Sequence, residues 1–536
     1  MDFPVNDATA TDDERAAIEV FLGTPASRWE GGARDASDDT QHALGGHAAR
    51  AQRHLLLPAL HALQARIGWI SPGAVNHLAL RLSVPPAEIH GVASFYAMFE
   101  LEATPPTVVH VCDDIACHTA GAESLIDSLQ RAHGPAGKPC AGGRAAWKRS
   151  PCLGLCEQAP AALFQRAGEG RANAALGGVN LADLEAELAG GGARVREDVP
   201  LVQQGEAGLR LLRRVGVVAP DDLAGYRRAG GYEVLQRAFE LGPQGVLAEL
   251  TESKLLGRGG AAFPTGVKWS AVARAPALPH HVVCNADESE PGTFKDRVLM
   301  EQDPFAVIES MTIAAWATGA TKGWIYLRGE YPEAQARLSR AITLAREAGW
   351  LGAAVAGRAD FAFDIEVRLG AGAYICGEET ALLNSIEGYR GEPRNKPPFP
   401  VTEGLFNQPT AVNNVETLVA VLEVLRQAEV HYNTFGTEQS RGTKLLCVSG
   451  CVERPGLYEL PFGVTLRQLL ERAGGVRDGR PLRAILLGGA AGSFMTPDQI
   501  DVSLSFEHTR AIGASLGSGV IMVFDDTIDM ERIVLR

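Results

Sequence analysis

The sequence predicts a multidomain α/β chain, and three observations carry that reading. Its 536 residues are too many for one core, and at about 150 residues per domain they suggest three or four units. β-Branched apolar runs alternate with stretches of helical periodicity from residue 105 onward, the pattern of α/β units. The longest alternating stretch, 205–438, is also dense in glycine, so its turns sit where backbone can approach a ligand.

Each unit follows in order. Residues 1–50, rich in Asp, Ala, Gly and Thr, read as a mostly flexible arm with one short helix near 13–22. In 51–104, HLLLPALHALQARIG and SPGAVNHLALRLS repeat apolar residues at helical spacing, and Ser71-Pro72 is a helix start. A third helix begins near Pro86, making a small bundle that ends in GVASFYAMF. Residues 105–190 open with a β-branched strand at 107–111 and carry a helix near 123–132, a small α/β domain. GGGARVRED at 190–198 reads as a linker. After the large unit 205–438, residues 439–536 hold short strands (KLLCVSG, GLYEL, AILLGG, GVIMVFDD) around a helix at 466–473, a compact mixed domain. No fixed-period repeat is present.

Composition excludes some functions. A net charge of −14 without a long basic run argues against nucleic acid or an anionic membrane as the main partner. No stretch reaches the roughly 18–20 apolar residues of a membrane helix, so direct membrane insertion is not expected. The first residues lack a basic segment followed by an apolar run, so no secretory signal is expected. Nine cysteines are too few for a disulfide scaffold in a chain this long.

Four of those cysteines cluster. Cys112 and Cys117 form C-x4-C directly after the strand, and Cys152 and Cys156 form C-x3-C in SPCLGLCEQAP. Two loop-borne thiolate pairs can close around one [2Fe–2S] unit. A structural zinc site also takes four thiolates, though more often through C-x2-C, and four unligated cysteines are the third possibility. The run from His54 to about Phe164 resembles the thioredoxin-like [2Fe–2S] subunit of respiratory NADH dehydrogenase (complex I), on AEIHGVASFYAMF followed by CDDIAC and CLGLC. The resemblance implies a [2Fe–2S] cluster on Cys112, Cys117, Cys152 and Cys156.

The glycine-dense unit carries several motifs. LLGRGGAAFPTGVKW (255–269) places Gly257, Gly259 and Gly260 where N–H groups can cradle phosphate, with Lys268 and the aromatic face of Phe263 nearby. The spacing departs from G-x-G-x-x-G, and turn chemistry alone explains most glycine clusters. NADESEPGTFKDR (285–297) reads by itself as a solvated acidic loop; following the apolar HVVC, it puts Asn285 and Asp287 at a strand's carboxyl end. GAGAYICGEETALLNSIEG (370–388) sets Gly377, Glu378 and Glu379 at a helix N-terminus, or simply caps a helix well. NKPPFP (395–400) and VNNVET (412–417) add Lys396, Phe399, Asn413 and Asn414 on loops.

In this order the motifs resemble, over nearly all of 205–536, the NADH- and FMN-binding flavoprotein subunit of complex I. Diaphorase subunits of NAD-linked hydrogenases and NAD-dependent formate dehydrogenases share the pattern. The fold so implied is a helical bundle, a thioredoxin-like [2Fe–2S] domain, a Rossmann-like FMN/NADH domain and a ubiquitin-like SLBB α+β domain. The resemblance implies that Gly257, Gly259, Lys268, Asn285, Asp287, Gly377, Asn413 and Asn414 hold FMN. It implies that Gly260, Phe263, Glu290, Tyr374, Glu379, Lys396 and Phe399 line the NADH side, and Glu378 belongs to the same cofactor-binding set. Ala271 departs from the pattern, standing where complex I members carry a second aromatic.

Hydride passes between the cofactors, so no catalytic acid or base is expected from the protein. The expected function is an electron-input module: hydride from NADH to FMN, then single electrons to iron–sulfur centres of a larger respiratory, hydrogenase or formate dehydrogenase complex. Its expected location is the cytoplasm, with any contact at the inner membrane face made through partner subunits. Family members usually continue into a helical [4Fe–4S] domain with ESCGxCxPCR, a motif this sequence lacks. That keeps a second reading open, a truncated, non-catalytic nucleotide-binding or assembly subunit. A third is a self-contained diaphorase reducing dyes or quinones. Phe263, Lys268, Glu290 and Glu379 favour an enzyme over the second reading.

Overall fold

A computed structural model describes residues 7–25, 49–192 and 201–536, without the side chains of 427–431. Most of the 1–50 arm and of the 190–198 linker therefore lies outside the described residues. The arm's short helix spans Asp12–Leu22, started by a capping box in which Thr11 and Glu14 satisfy each other's backbone N–H. Helices Leu56–Ile67, Pro72–Leu82 and Pro86–Ala93 follow, the second capped by Ser71. Their apolar faces, with Leu60, Leu63, Leu78 and Ile89 fully buried, share a core with Tyr326, Leu382 and Leu383 of the glycine-dense unit. The bundle is therefore fused to that unit. Tyr96 donates to Ser385 Oγ at 2.7 Å across the junction.

The next unit is a five-stranded mixed sheet, ordered β2-β3-β1-β4-β5, of β1 (Thr107–Cys112), β2 (Pro139–Cys140), β3 (Ala145–Ser150), β4 (Ala161–Arg166) and β5 (Ala174–Gly177). β1 and β3 are parallel, with Cys112 opposite Ser150. Because parallel neighbours end at the same sheet edge, the short helix Ile115–Thr119 carrying Cys117 and the segment carrying Cys152 and Cys156 emerge side by side.

The largest unit holds a parallel sheet ordered β8-β7-β6-β9, from β6 (His280–Ala286), β7 (Ala320–Leu327), β8 (Asp364–Leu369) and β9 (Thr410–Asn414). The chain runs outward from β6 through β7 to β8, then returns to β9 on the far side of β6. The crevice beyond the carboxyl ends of β6 and β9 is thus a topological switch point, where open α/β sheets bind ligands. Helix Pro304–Thr318 crosses between β6 and β7, buried on all sides except at Trp316. Its Glu309 accepts from Tyr226 Oη (2.5 Å), Tyr232 N (2.8 Å) and Leu235 N (3.0 Å), tying down the start of helix Glu233–Glu252.

The last unit is a mixed sheet ordered β11-β10-β14-β12-β13, comprising β10 (Thr443–Gly450), β11 (Gly456–Pro461), β12 (Leu482–Leu487), β13 (Ser493–Met495) and β14 (Val520–Asp525), with helix Leu466–Arg472 against it. Cys447 and Cys451 are buried here. A buried Lys444–Glu416 pair at 2.6 Å joins it to the glycine-dense unit. Among the described residues no helix is long and apolar enough to cross a membrane.

Glu309→Ala strips three buried donors of their acceptor and should cost about 3 kcal/mol of stability. Urea unfolding is the check, with the midpoint expected to fall clearly below wild type.

Candidate functional site

The cysteine site is built by the parallel β1–β3 pair. Asp114 ties its two loops together: Oδ1 accepts from Ile115 N at 2.7 Å and Oδ2 from Cys152 N at 3.1 Å. Cys152 and Cys156 have their sulfurs 3.3 Å apart, and Gly154 N donates to Cys152 Sγ at 3.4 Å. All four thiols are buried. A hydrogen bond to Cys117, then burial, holds the Cys112 thiol well above its usual range; Cys156, bonded to Cys152, is raised likewise. Cys152 is lowered because it accepts from Cys156, and the Arg328 charge acts in the same direction. Four sulfurs gathered in a dry place resist ionising together unless cations lie among them. The donor set therefore fits an iron–sulfur cluster.

The second site is the crevice at the switch point. Loop 255–265 folds back on itself, Gly257 N donating to Phe263 O and Thr265 N to Leu255 O, both at 2.9 Å. It crosses the end of β9 closely: a Cβ on Gly259 would lie 3.1 Å from the Asn414 side chain. Gly260 sits at φ +116°, a conformation open to glycine but strained for other residues. Phe263 projects from the loop half-exposed. Across the crevice, Asn285 Nδ2 donates to Gly377 O at 2.8 Å, joining the end of β6 to the turn before helix Glu379–Ile386. A Cβ on Gly377 would meet Asp287 O at 3.5 Å, an ordinary contact, so this turn lies against the residues that follow β6. Glycine backbone gathered at the ends of β6 and β9 offers N–H groups suited to a cofactor phosphate.

The expected residues are gathered unequally. Glu378 caps its helix, accepting from Thr380 N (2.8 Å) and Ala381 N (2.9 Å), and Lys396 Nζ bridges Glu378 at 2.8 Å and Glu379 at 3.1 Å. Tyr374 donates to Glu290 Oε2 at 2.6 Å, and partial desolvation, then that bond to a carboxylate, pushes its hydroxyl up to about 12. Tyr374 and Phe399, like Phe263, are more than half or about half exposed, open to a ligand. Lys268 is already engaged, donating to Val412 O at 2.8 Å and lying 3.5 Å from Glu379. Asn413 turns inward, its Oδ1 accepting from Trp269 Nε1 at 2.7 Å, whereas Asn414 binds Lys295 and Asp296. Those two asparagine side chains brace the crevice from below in this structure.

Sequence reading missed the supports. Glu288 is buried beside the crevice and accepts from Asp296 N, Arg297 N and Tyr331 Oη; burial pushes it up to about 8. Lys295, Asp296, Glu416 and Lys444 form a buried charge network beneath Asn414. Lys295, Asp296 and Arg297 stand inside a motif already singled out, but Arg328 and Tyr331 follow β7 and carry no local signal of their contacts.

Family models match three segments: the Nuo51 FMN-binding domain over 250–423, the thioredoxin-like [2Fe–2S] ferredoxin over 41–175 and the SLBB domain over 445–494. NAD-reducing hydrogenase HoxS subunit alpha of Cupriavidus necator is 36% identical over 492 residues, covering 90% of this chain and 79% of that protein. The chain belongs to the NADH dehydrogenase flavoprotein family. Other relatives in this family come from NADH-quinone oxidoreductases. One such protein of Rhizobium meliloti is 45% identical over 61% of this chain and 78% of its own length. Its counterpart in Escherichia coli is 47% identical over 58% of this chain and 70% of its own length. A crystal structure of NAD+-reducing [NiFe]-hydrogenase in the H2-reduced state superposes with a TM-score of 0.74 at 34% identity, covering 90% of this chain and 78% of that one. The fold, with its thioredoxin-like, FMN-binding and SLBB domains, is that of the family.

Burial pushes Asp287 from an ordinary 3.8 up to about 7, against the opposing charge of Arg328. The folded state then holds a proton that the unfolded chain releases, so this group's contribution to stability is full below about pH 4 and lost as pH rises through about 7. Compared by urea unfolding without added flavin, Asp287→Asn should show a shallower loss of stability than wild type across pH 4–7.

Proposed function

We propose that this chain is the electron-input module of a larger oxidoreductase, oxidising NADH at the crevice and delivering electrons through the cysteine site. FMN, when bound, accepts hydride from the nicotinamide and releases electrons singly, chemistry that belongs to the cofactor. The protein's part is to bind, orient and exclude water. Gly257, Gly259 and Gly377 keep side chains out of the cleft, and the loop's N–H groups hold the flavin phosphate. Asn285 and Asp287 border the ring from the end of β6; Lys268, Asn413 and Asn414 fix the cleft's walls from the opposite side.

On the nucleotide side, Phe263, Phe399 and Tyr374 offer aromatic faces, with Gly260 giving backbone access. Lys396, bridging Glu378 and Glu379, holds those carboxylates in place on the NADH side, and Glu290 recognises ribose or nicotinamide. The carboxylates of Glu290 and Glu379 also repel the additional phosphate of NADPH. One observation carries the link between the two sites. The Arg328 guanidinium donates to Glu288 O at 2.6 Å, next to the crevice residue Asp287, and to Cys152 O at 2.7 Å in the cysteine loop. A single buried side chain thus spans from one site to the other. The partners are further iron–sulfur subunits, and the module works on the cytoplasmic side, reaching any membrane through them.

Steady-state dye reduction by the FMN-loaded chain tests the nucleotide side. NADH should be used far better than NADPH; equal turnover contradicts the role given to Glu290 and Glu379. Loss of stacking in Phe263→Ala should raise the KM for NADH by about 5- to 150-fold, corresponding to about 1–3 kcal/mol. Cys152→Ser should abolish the iron–sulfur electron paramagnetic resonance signal while FMN content stays at the wild-type level.

A further inference from the structure

The cysteine loop is gripped from the flavin unit by three buried side chains. Arg297 Nε donates to Gly154 O at 2.9 Å, and its Nη2 pairs with Glu157. Tyr331 packs so closely that a Cβ on Gly154, itself at φ +66°, would fall 2.0 Å from the phenol oxygen. Arg328 Nη2 donates to Cys152 O. The exposures of Arg297, Arg328 and Tyr331 are 3%, 2% and 2%, so these contacts are made away from water.

The two arginines differ in charge balance. Arg297 lies between two carboxylates, Glu157 and Glu301, which outnumber its single charge. Arg328 has one carboxylate partner, Glu330 at 2.9 Å from Nη2; the same Nη2 donates to the Cys152 carbonyl, Nη1 donates to that of Glu288, and Nε has no hydrogen-bond partner among the described residues. Its cationic end therefore faces the loop that holds two of the four thiols, in a medium where charges are weakly screened.

We propose that Arg328 is a positioning residue of the flavin unit that raises the reduction potential of the [2Fe–2S] cluster, while Arg297 and Tyr331 fix the loop it acts on. The inference rests on the cluster assignment above. Reduction adds one electron, and hence one negative charge, to the cluster. A fixed cation hydrogen-bonded to a ligand residue's carbonyl stabilises that added charge, since outer hydrogen bonds and local charge tune such centres. Sequence-distant residues of the flavin unit would in this way match the cluster to its electron donor.

The test is a redox titration of the full chain carrying FMN and cluster, following the cluster by electron paramagnetic resonance. Arg328→Gln is expected to lower the potential enough to cut the reduced-to-oxidised ratio about tenfold at a fixed poise, which is about 59 mV for one electron. Arg328→Lys, which keeps the charge, should recover at least half of that shift. Glu330→Gln, which leaves Arg328 uncompensated, should shift the potential upward, and it decides the matter should Arg328→Gln fail to fold. Iron bound at the wild-type level with an unmoved or raised potential in Arg328→Gln, or an unmoved or lowered one in Glu330→Gln, overturns the proposal alone. Wild-type protein that takes up no iron overturns the cluster assignment, and the proposal with it.

Discussion

Strand β6 pairs in parallel with β7 on one side and β9 on the other, so the strand order reverses at β6. The carboxyl ends of strands at such a reversal are where open α/β sheets bind ligands. The motif residues fall around that point. Asn285 and Asp287 continue β6, Asn413 and Asn414 close β9, and the glycine loop folds across the ends. Glycine suits the point where the loop meets Asn414, since a Cβ there would lie 3.1 Å from that side chain. The parallel pairing of β1 with β3 solves a similar problem in the smaller sheet, delivering two cysteine loops to one edge.

Those edges face each other through buried charge. Glu288 anchors the start of helix Lys295–Gln302, and Arg328 and Tyr331 meet it from the end of β7. Buried ions of this sort cost desolvation, which pairing and hydrogen bonds offset. Their placement beside both sites, rather than scattered through the cores, ties the relative position of the two domains to the chemistry they share.

Much of this was legible in the sequence because its signals are local. Pro86 opens a helix, Ser71 caps one, and the β-branched run before Cys112 is a strand, since each depends on neighbours a few residues away. The cysteine spacing and the glycine loop were visible for the same reason. What escaped depends on distant partners. Nothing near Arg328 announces Cys152, 176 residues earlier, and nothing in VNNVET shows that Trp269 takes the Asn413 oxygen while Lys295 and Asp296 take Asn414. Lys268 looked available for phosphate, yet it leans on the Val412 carbonyl. Such details are set by tertiary packing.

The central claim is that crevice and cysteine loop form one electron path within a single chain. Anaerobic titration of the FMN- and iron-loaded protein with NADH, read simultaneously by flavin absorbance and by the cluster's paramagnetic signal, addresses it most directly. The account predicts that the flavin bleaches and that the cluster signal appears with it in the same molecules. Flavin that stays oxidised under excess NADH, in folded protein with both groups bound, would contradict it.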